Sequence, residues 1–161
     1  MSIMTADEVR RLLDYDPETG DFRWRVEMGQ RAKMSAIAGT IKEDGYRIII
    51  IRRRKYSAHR LAWLHSYGCW PVQFLDHKNG LRDDNRLCNL REATRSQNNS
   101  NRPAISGLKG ASWHAPSNRW VARIKKDGVQ RHIGCFPTEE AAHAAYCRAA
   151  QKLHGEFART Q

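Results

Sequence analysis

The sequence predicts an α+β chain made of several small sheets, each packed on a short helix. Three observations carry that expectation. Capping boxes of the Thr-x-x-Glu/Gln kind stand at Thr5/Glu8 and Thr94/Gln97, where each opens a helical segment. Asp-Gly pairs at Asp44-Gly45 and Asp127-Gly128 separate runs of strand-forming residues, which is a hairpin signature. The C-terminal stretch reads as three strands followed by one alanine-rich helix.

Taken in order, Val9, Leu12 and Leu13 give the first helix an apolar stripe, and DPETG (Asp16 to Gly20) turns the chain. Phe22, Trp24 and Val26 alternate with Arg23 and Arg25 as in a half-buried strand. Residues 39–42 and 46–51 form the first hairpin, and RRRK (Arg52 to Lys55) is a basic tip or turn. Ser57 caps a helix with Leu61 and Leu64 facing inward, and Gly68 closes it. A strand over 73–77, a turn-rich stretch, a strand over 90–93 and a polar helix through Asn101 follow. SNRPAISG (Ser100 to Gly107) reads as a linker. Strands over 109–114, 120–126 and 130–136 then lead to a helix capped by Thr138, with Ala142, Ala145, Tyr146, Ala149 and Leu153 at helical spacing and Gly155 at its end.

The 161 residues carry 28 Lys+Arg against 17 Asp+Glu, a formal net charge of +11. That excludes a cationic partner and fits a polyanion: nucleic acid first, an anionic surface second. The excess is shared along the chain: +3 over residues 1–58, +3 over 59–103 and +5 over 104–161. A long footprint fits better than one sticky end. Five Trp and five Tyr exclude a disordered basic tail. No apolar run approaches the ~18–20 residues of a membrane span, so no membrane partner is expected. The N-terminus has acidic residues where a signal peptide needs an apolar core, so a cytoplasmic location is expected. Cys69, Cys88, Cys135 and Cys147 are scattered with no C-x-x-C pair, so no structural zinc is expected, only reduced, buried or neutral thiols.

The chemistry is expected in residues 75–101, LDHKNGLRDDNRLCNLREATRSQNNSN. Asp76 is a hard oxygen ligand suited to magnesium. His77 can take a proton from water near neutral pH. Asn98 and Asn99 sit early on the capped polar helix, which a strand–loop–strand–helix unit of this size can fold across the first strand, beside Asp76. Read blandly, Asp76-His77 is an ordinary strand end and the asparagines cap turns.

The run D-H-K-N-G, D-D-N-R, N-L-R-x-A-T, S-Q-N-N, preceded by HRLAW (His59 to Trp63), closely resembles the HNH endonuclease family, in the version found in homing endonucleases of phages and mobile introns. DPETGDFRWR and DGYRIIIIRRRKYSAHRLAW resemble the N-terminal part of such phage enzymes. The resemblance implies a two-stranded hairpin packed on a helix around one divalent ion, magnesium with manganese able to substitute. It makes His77 the general base, and Asp76 and Asn98 the metal ligands, with Asn99 the rival to Asn98. Asn89, helped by Asn85, ties down the loop and holds the histidine strand. His59 is more a packing or hydrogen-bonding residue than a ligand. The implied reaction is phosphodiester hydrolysis leaving 5′-phosphate and 3′-hydroxyl ends.

Residues 107–158 carry GASW, RWVARI, IGCFPTEEAA and AAQKLHG, and resemble the plant ethylene-response-factor (APETALA) type of DNA-binding domain. In that fold a three-stranded sheet enters the major groove of double-stranded DNA. The resemblance implies DNA contacts by Trp113, Arg119, Trp120, Arg123 and Arg131, with Lys125 on phosphate; the rival reading of Trp120 is core packing. The expected division is an N-terminal helix and β-hairpin unit over 1–56, a nuclease core over 57–103 and a DNA-binding domain over 104–161. The expected function is a homing-type, metal-dependent DNA endonuclease steered by its C-terminal domain. The alternatives are a non-catalytic, sequence-specific DNA-binding regulator that kept the fold, and an RNA-directed protein, which a sheet built for the major groove disfavours. Monomer and homodimer remain open, and with them nick against double-strand break.

Overall fold

The first helix, α1 (Ala6–Leu12), is closed at its start by both halves of the expected capping box: Thr5 Oγ1 accepts from the Glu8 amide, and the Glu8 carboxylate accepts from the Thr5 amide. The structure, a computed structural model, describes residues 4–29, 32–104 and 107–160. Ile105 and Ser106 of the expected linker lie outside the described residues.

Leu13, expected on the helical stripe, instead turns extended and starts β1 (Leu13–Tyr15), antiparallel to β2 (Phe22–Trp24). Strand geometry sends Leu13 and Tyr15 to one face, and both join Phe22 and Trp24 in the core. The Asp44-Gly45 hairpin joins β3 (Thr40–Ile41) to β4 (Arg47–Ile51). The RRRK run is split. Arg52 and Arg53 form the tip with φ of 48° and 64°, as a two-residue primed turn requires. Arg54 and Lys55 return as β5 (Arg54–Ser57), paired to β4. Helix α2 (Ala58–Tyr67) follows at once. Ser57 occupies its N-cap without a side-chain bond, and Gly68 closes it in the left-handed region. The core gathers α1, β1, β2, β4 and the inner face of α2. Beyond it, β6 (Phe74–His77) pairs with β7 (Leu90–Ala93).

The contacts gather the chain into two units, one up to Glu92 and one from Ala93 onward. The second holds α3 (Arg95–Ser100), opened by the full Thr94/Gln97 capping box, and then β8 (Ala111–His114), β9 (Arg119–Lys126), β10 (Val129–Phe136) and α4 (Glu139–His154). The sheet is antiparallel in the order β10-β9-β8. Ala122, Ile124, Ile133 and Phe136 pack with Ala142, Ala145, Tyr146 and Ala150 of α4. This is the α+β architecture the sequence predicts, including a three-stranded sheet on one helix. The cysteines are free thiols; Cys69, Cys88 and Cys135 are exposed rather than buried. Among the described residues no helix is long and apolar enough to cross a membrane.

Candidate active site

Strand β6 brings Asp76 and His77 into the interior, each 4% exposed. Successive strand residues point to opposite faces, so the two find different partners. Asp76 Oδ2 accepts from Arg91 Nε (3.0 Å) and Nη2 (2.9 Å), on the paired strand β7. The ion pair is buried. Removing one partner of such a pair typically costs about 3–5 kcal/mol, because a buried charge is left behind. Arg91 was not singled out from the sequence, although N-L-R in the motif places a cation on the strand that a hairpin must pair with Asp76.

His77 Nε2 lies 3.4 Å from Asn85 Oδ1. The Asn85 amide nitrogen donates to the Asp83 carbonyl (3.0 Å), which turns Oδ1 toward the ring. That arrangement selects the tautomer protonated on Nε2 and puts the basic lone pair on Nδ1. Burial lowers the His77 pKa from its ordinary value, against the opposing pulls of Asn85 and Asp76. Burial thus favours the neutral ring, the form in which an imidazole can accept a proton. Asn85 is itself buried, and its carbonyl accepts from Tyr15 Oη at 2.9 Å. Burial pushes the Tyr15 hydroxyl up to about 12, so it stays a donor.

Asn89 serves the loop rather than the ring. Its Oδ1 accepts from the Asn79 amide (3.0 Å), its Nδ2 donates to the Asp84 carbonyl (2.8 Å), and its carbonyl accepts from the Lys78 amide (2.9 Å). The same loop is braced from the β3–β4 hairpin. Arg47 makes a two-pronged bond to Asp83, both arms at 2.8 Å, and Arg82 donates to the Asp44 carbonyl with its guanidinium over the Tyr46 ring. Asp84 is pulled down to about 2, chiefly by its bonds from Arg86.

Two rings from other elements close around His77: His59 of α2, edge-on at 5.2 Å, and Tyr46 at 5.9 Å. His59 Nδ1 is buried and makes no hydrogen bond among the described residues. Burial, then the neighbouring His77, lower its pKa to about 3. The unfolded chain takes this proton near pH 6.5, whereas the folded chain refuses it until about pH 3, so stability is full above pH 6.5 and falls below it. Urea unfolding at pH 7.5 and pH 4.5 is expected to show His59→Phe losing less stability than the parent over this interval, by roughly 2 kcal/mol.

In the second unit, Asn98 and Asn99 stand on α3. Asn98 is partly buried; Asn99 is exposed and lines a cleft between α3 and the sheet that Asn98 does not line. On the sheet, the register puts Arg119, Arg123 and Lys125 on the face away from α4, with His114, Gln130 and His132 as neighbours across the strands. None of these three neighbours was singled out from the sequence. Arg131 pairs with Ile124 and so belongs to the opposite side, apart from the other arginines. Trp120 also faces the α4 side and packs on the Ala122–Ala142–Ala145 cluster, with Trp113 edge-on to it at 5.6 Å and half exposed.

Residues 56–100, which contain His59, Asp76, His77, Asn85, Asn89, Arg91 and Asn98, match the family model of HNH endonucleases. The match points to a nuclease, and nucleases of this family generally use a divalent metal. A curated relative is an uncharacterized HNH endonuclease of Acanthamoeba polyphaga mimivirus, 36% identical over 85 residues that cover 53% of this chain and 45% of the relative. The chain thus spans about half the length of that relative. No solved structure matches the chain.

Proposed function

We propose that this chain is a metal-dependent DNA endonuclease of the homing type that hydrolyses phosphodiester bonds at positions chosen by its C-terminal, ethylene-response-factor-like unit. The observation that carries the reading is the buried pair on β6: a neutral His77 oriented by Asn85, next to an Asp76 anchored by Arg91. Asp76 and Asn98 offer one carboxylate and one carboxamide oxygen, which suits a hard divalent ion, magnesium or manganese, completed by water and substrate phosphate. Among the described residues no three His, Cys, Asp or Glu side chains gather as a metal cluster. When bound, such an ion supplies charge stabilisation at the scissile phosphate and the leaving 3′ oxygen.

The chain's own residues do the rest. His77 Nδ1 takes the proton of the attacking water. Asn85 fixes the ring, Arg91 holds the Asp76 carboxylate in place, and Asn89 ties down the loop. The products are 5′-phosphate and 3′-hydroxyl ends. Asn98 is the proposed second ligand, with its neighbour Asn99 as the rival. The substrate is double-stranded DNA in the host cytoplasm, attracted by the chain's formal net charge of +11. On the open sheet face Arg123 reads base edges and Lys125 meets phosphate; Arg119 joins them, while Trp113 and Arg131 lie toward the other side.

The test is supercoiled plasmid with the full chain, with and without magnesium. Nicked or linear product is expected with the metal, none with EDTA, and an unchanged circular dichroism spectrum in both. Binding without cleavage under every metal would favour the non-catalytic regulator. Arg123→Ala is expected to relax site preference, since a base-edge arginine contributes about 1–3 kcal/mol of discrimination. Lys125→Ala is expected to weaken binding equally on all sequences and to flatten its salt dependence. Cleavage-site mapping and binding at several salt concentrations separate the two.

A further inference from the structure

Helix α3 has only six residues, RSQNNS, and no apolar stripe. A helix this short does not hold itself together in water. Three sets of polar contacts from the rest of the C-terminal unit fasten it. At the β9–β10 turn, the Asp127 amide donates to Ser96 Oγ at 3.0 Å. Ser100 Oγ donates to the Ser96 carbonyl (2.9 Å) and meets Nδ1 of His154, the last residue of α4, at 3.2 Å. Lys109, just before β8, donates from Nζ to the carbonyls of Ser100 (2.5 Å) and Arg102 (2.6 Å). These are carbonyls at and just past the C-terminal end of α3, where a helix leaves its last acceptors without intrahelical partners.

We propose that the C-terminal unit is a positioning device as well as a DNA reader: Lys109, the Ser96–Asp127 bond and the Ser100–His154 bond hold α3 in shape and thereby set the metal-ligand oxygen of Asn98. The inference rests on the reading of Asn98 as a ligand. Of the helix residues only Ser100 is fully buried, so α3 adds little to the core. What the chain gains from ordering it is the fixed direction of Asn98. Lys109, Ser96, Asp127, Ser100 and His154 are positioning residues, not catalytic ones. Reading of DNA by the sheet and ligation by Asn98 are coupled because both belong to one packed unit.

The test uses the full chain and three readouts: amide hydrogen exchange over residues 95–102, the magnesium concentration for half-maximal nicking of supercoiled plasmid, and plasmid affinity. Lys109→Met is expected to speed exchange over 95–102 and to raise the magnesium midpoint, each by about tenfold, as loss of a charge-assisted bond implies. Plasmid affinity is expected to stay within about twofold, since the amine is turned onto carbonyls, and the change falls below one conventional hydrogen bond. Lys109→Arg is expected to restore the midpoint. Ser96→Ala, which removes one bond at the other end, is expected to raise it by a smaller factor and serves if Lys109→Met does not fold. A magnesium midpoint unchanged in both variants overturns the inference, as does a parallel loss of midpoint and affinity. Asn98→Ala separates the two claims. If Asn98→Ala nicks like the parent, the ligand assignment fails and takes the inference with it. If Asn98→Ala is inactive while Lys109→Met and Ser96→Ala behave like the parent, the positioning role alone fails.

Discussion

Replacing His77 by Ala is expected to slow plasmid nicking by about a thousandfold, the middle of the range for removal of a general base. Plasmid affinity is expected to change little. The proposed binding rests on Lys and Arg side chains spread along the chain, whereas His77 is buried at the end of β6 beside Asn85, His59 and Tyr46. Single-turnover nicking and filter binding on the same preparations check both halves. A matched fall in rate and affinity would make His77 a structural residue. Because burial lowers the His77 pKa, the acid limb of the parent's rate profile is expected below the ordinary histidine value.

A large stability effect is expected from Gly20→Ala. Gly20 has φ of +80°, and a Cβ there would stand 2.6 Å from the Arg86 nitrogen and 2.8 Å from the Asn85 carbonyl carbon. Both are backbone atoms, so no rotamer change relieves the clash. The left-handed conformation alone costs an alanine about 1–2 kcal/mol. With the displaced loop added, a loss above about 3 kcal/mol is expected in urea unfolding, in the range of severe substitutions. Gly68 is the control. Its φ is +78° and nothing lies within 4 Å of its Cβ position, so Gly68→Ala should show the backbone cost alone. Gly20→Ala should also slow nicking in whatever protein stays folded, because it pushes on the residue that orients His77.

Much of the fold was legible because its signals are local. Each capping box needs only residues three apart, and both formed as read. The Asp-Gly turns did too. Leu13 was misplaced because helical and strand periodicity agree at that position, and pairing with Trp24 decides. The RRRK run reads as one basic tip or turn because nothing in four adjacent cations marks where a strand resumes. Arg52 and Arg53 turn, and backbone pairing with β4 claims Arg54 and Lys55.

In the site, an adjacent Asp-His alone reads equally as a strand end. It is the resemblance of the whole motif that brings Asp76 and His77 forward, with Asn85 as a helper of Asn89. Arg91 and the contact that Asn85 makes with the ring have no local signal. Arg91 reaches Asp76 through strand pairing, and Asn85 reaches His77 through a loop whose shape depends on Tyr15, Gly20 and Arg47, far away in sequence. Arg131 shows a signal present and unused. The two-residue Asp127-Gly128 turn pairs Lys126 with Val129, which forces Arg131 opposite Ile124 and off the face that carries Arg123.

Chemical rescue tests the role of His77 most directly. In His77→Gly the missing ring leaves a space that free imidazole fills. Added imidazole is expected to restore magnesium-dependent nicking to His77→Gly with a saturating dependence, and to leave Asp76→Ala inactive. Rescue of both variants, or of neither, would contradict His77 as the base.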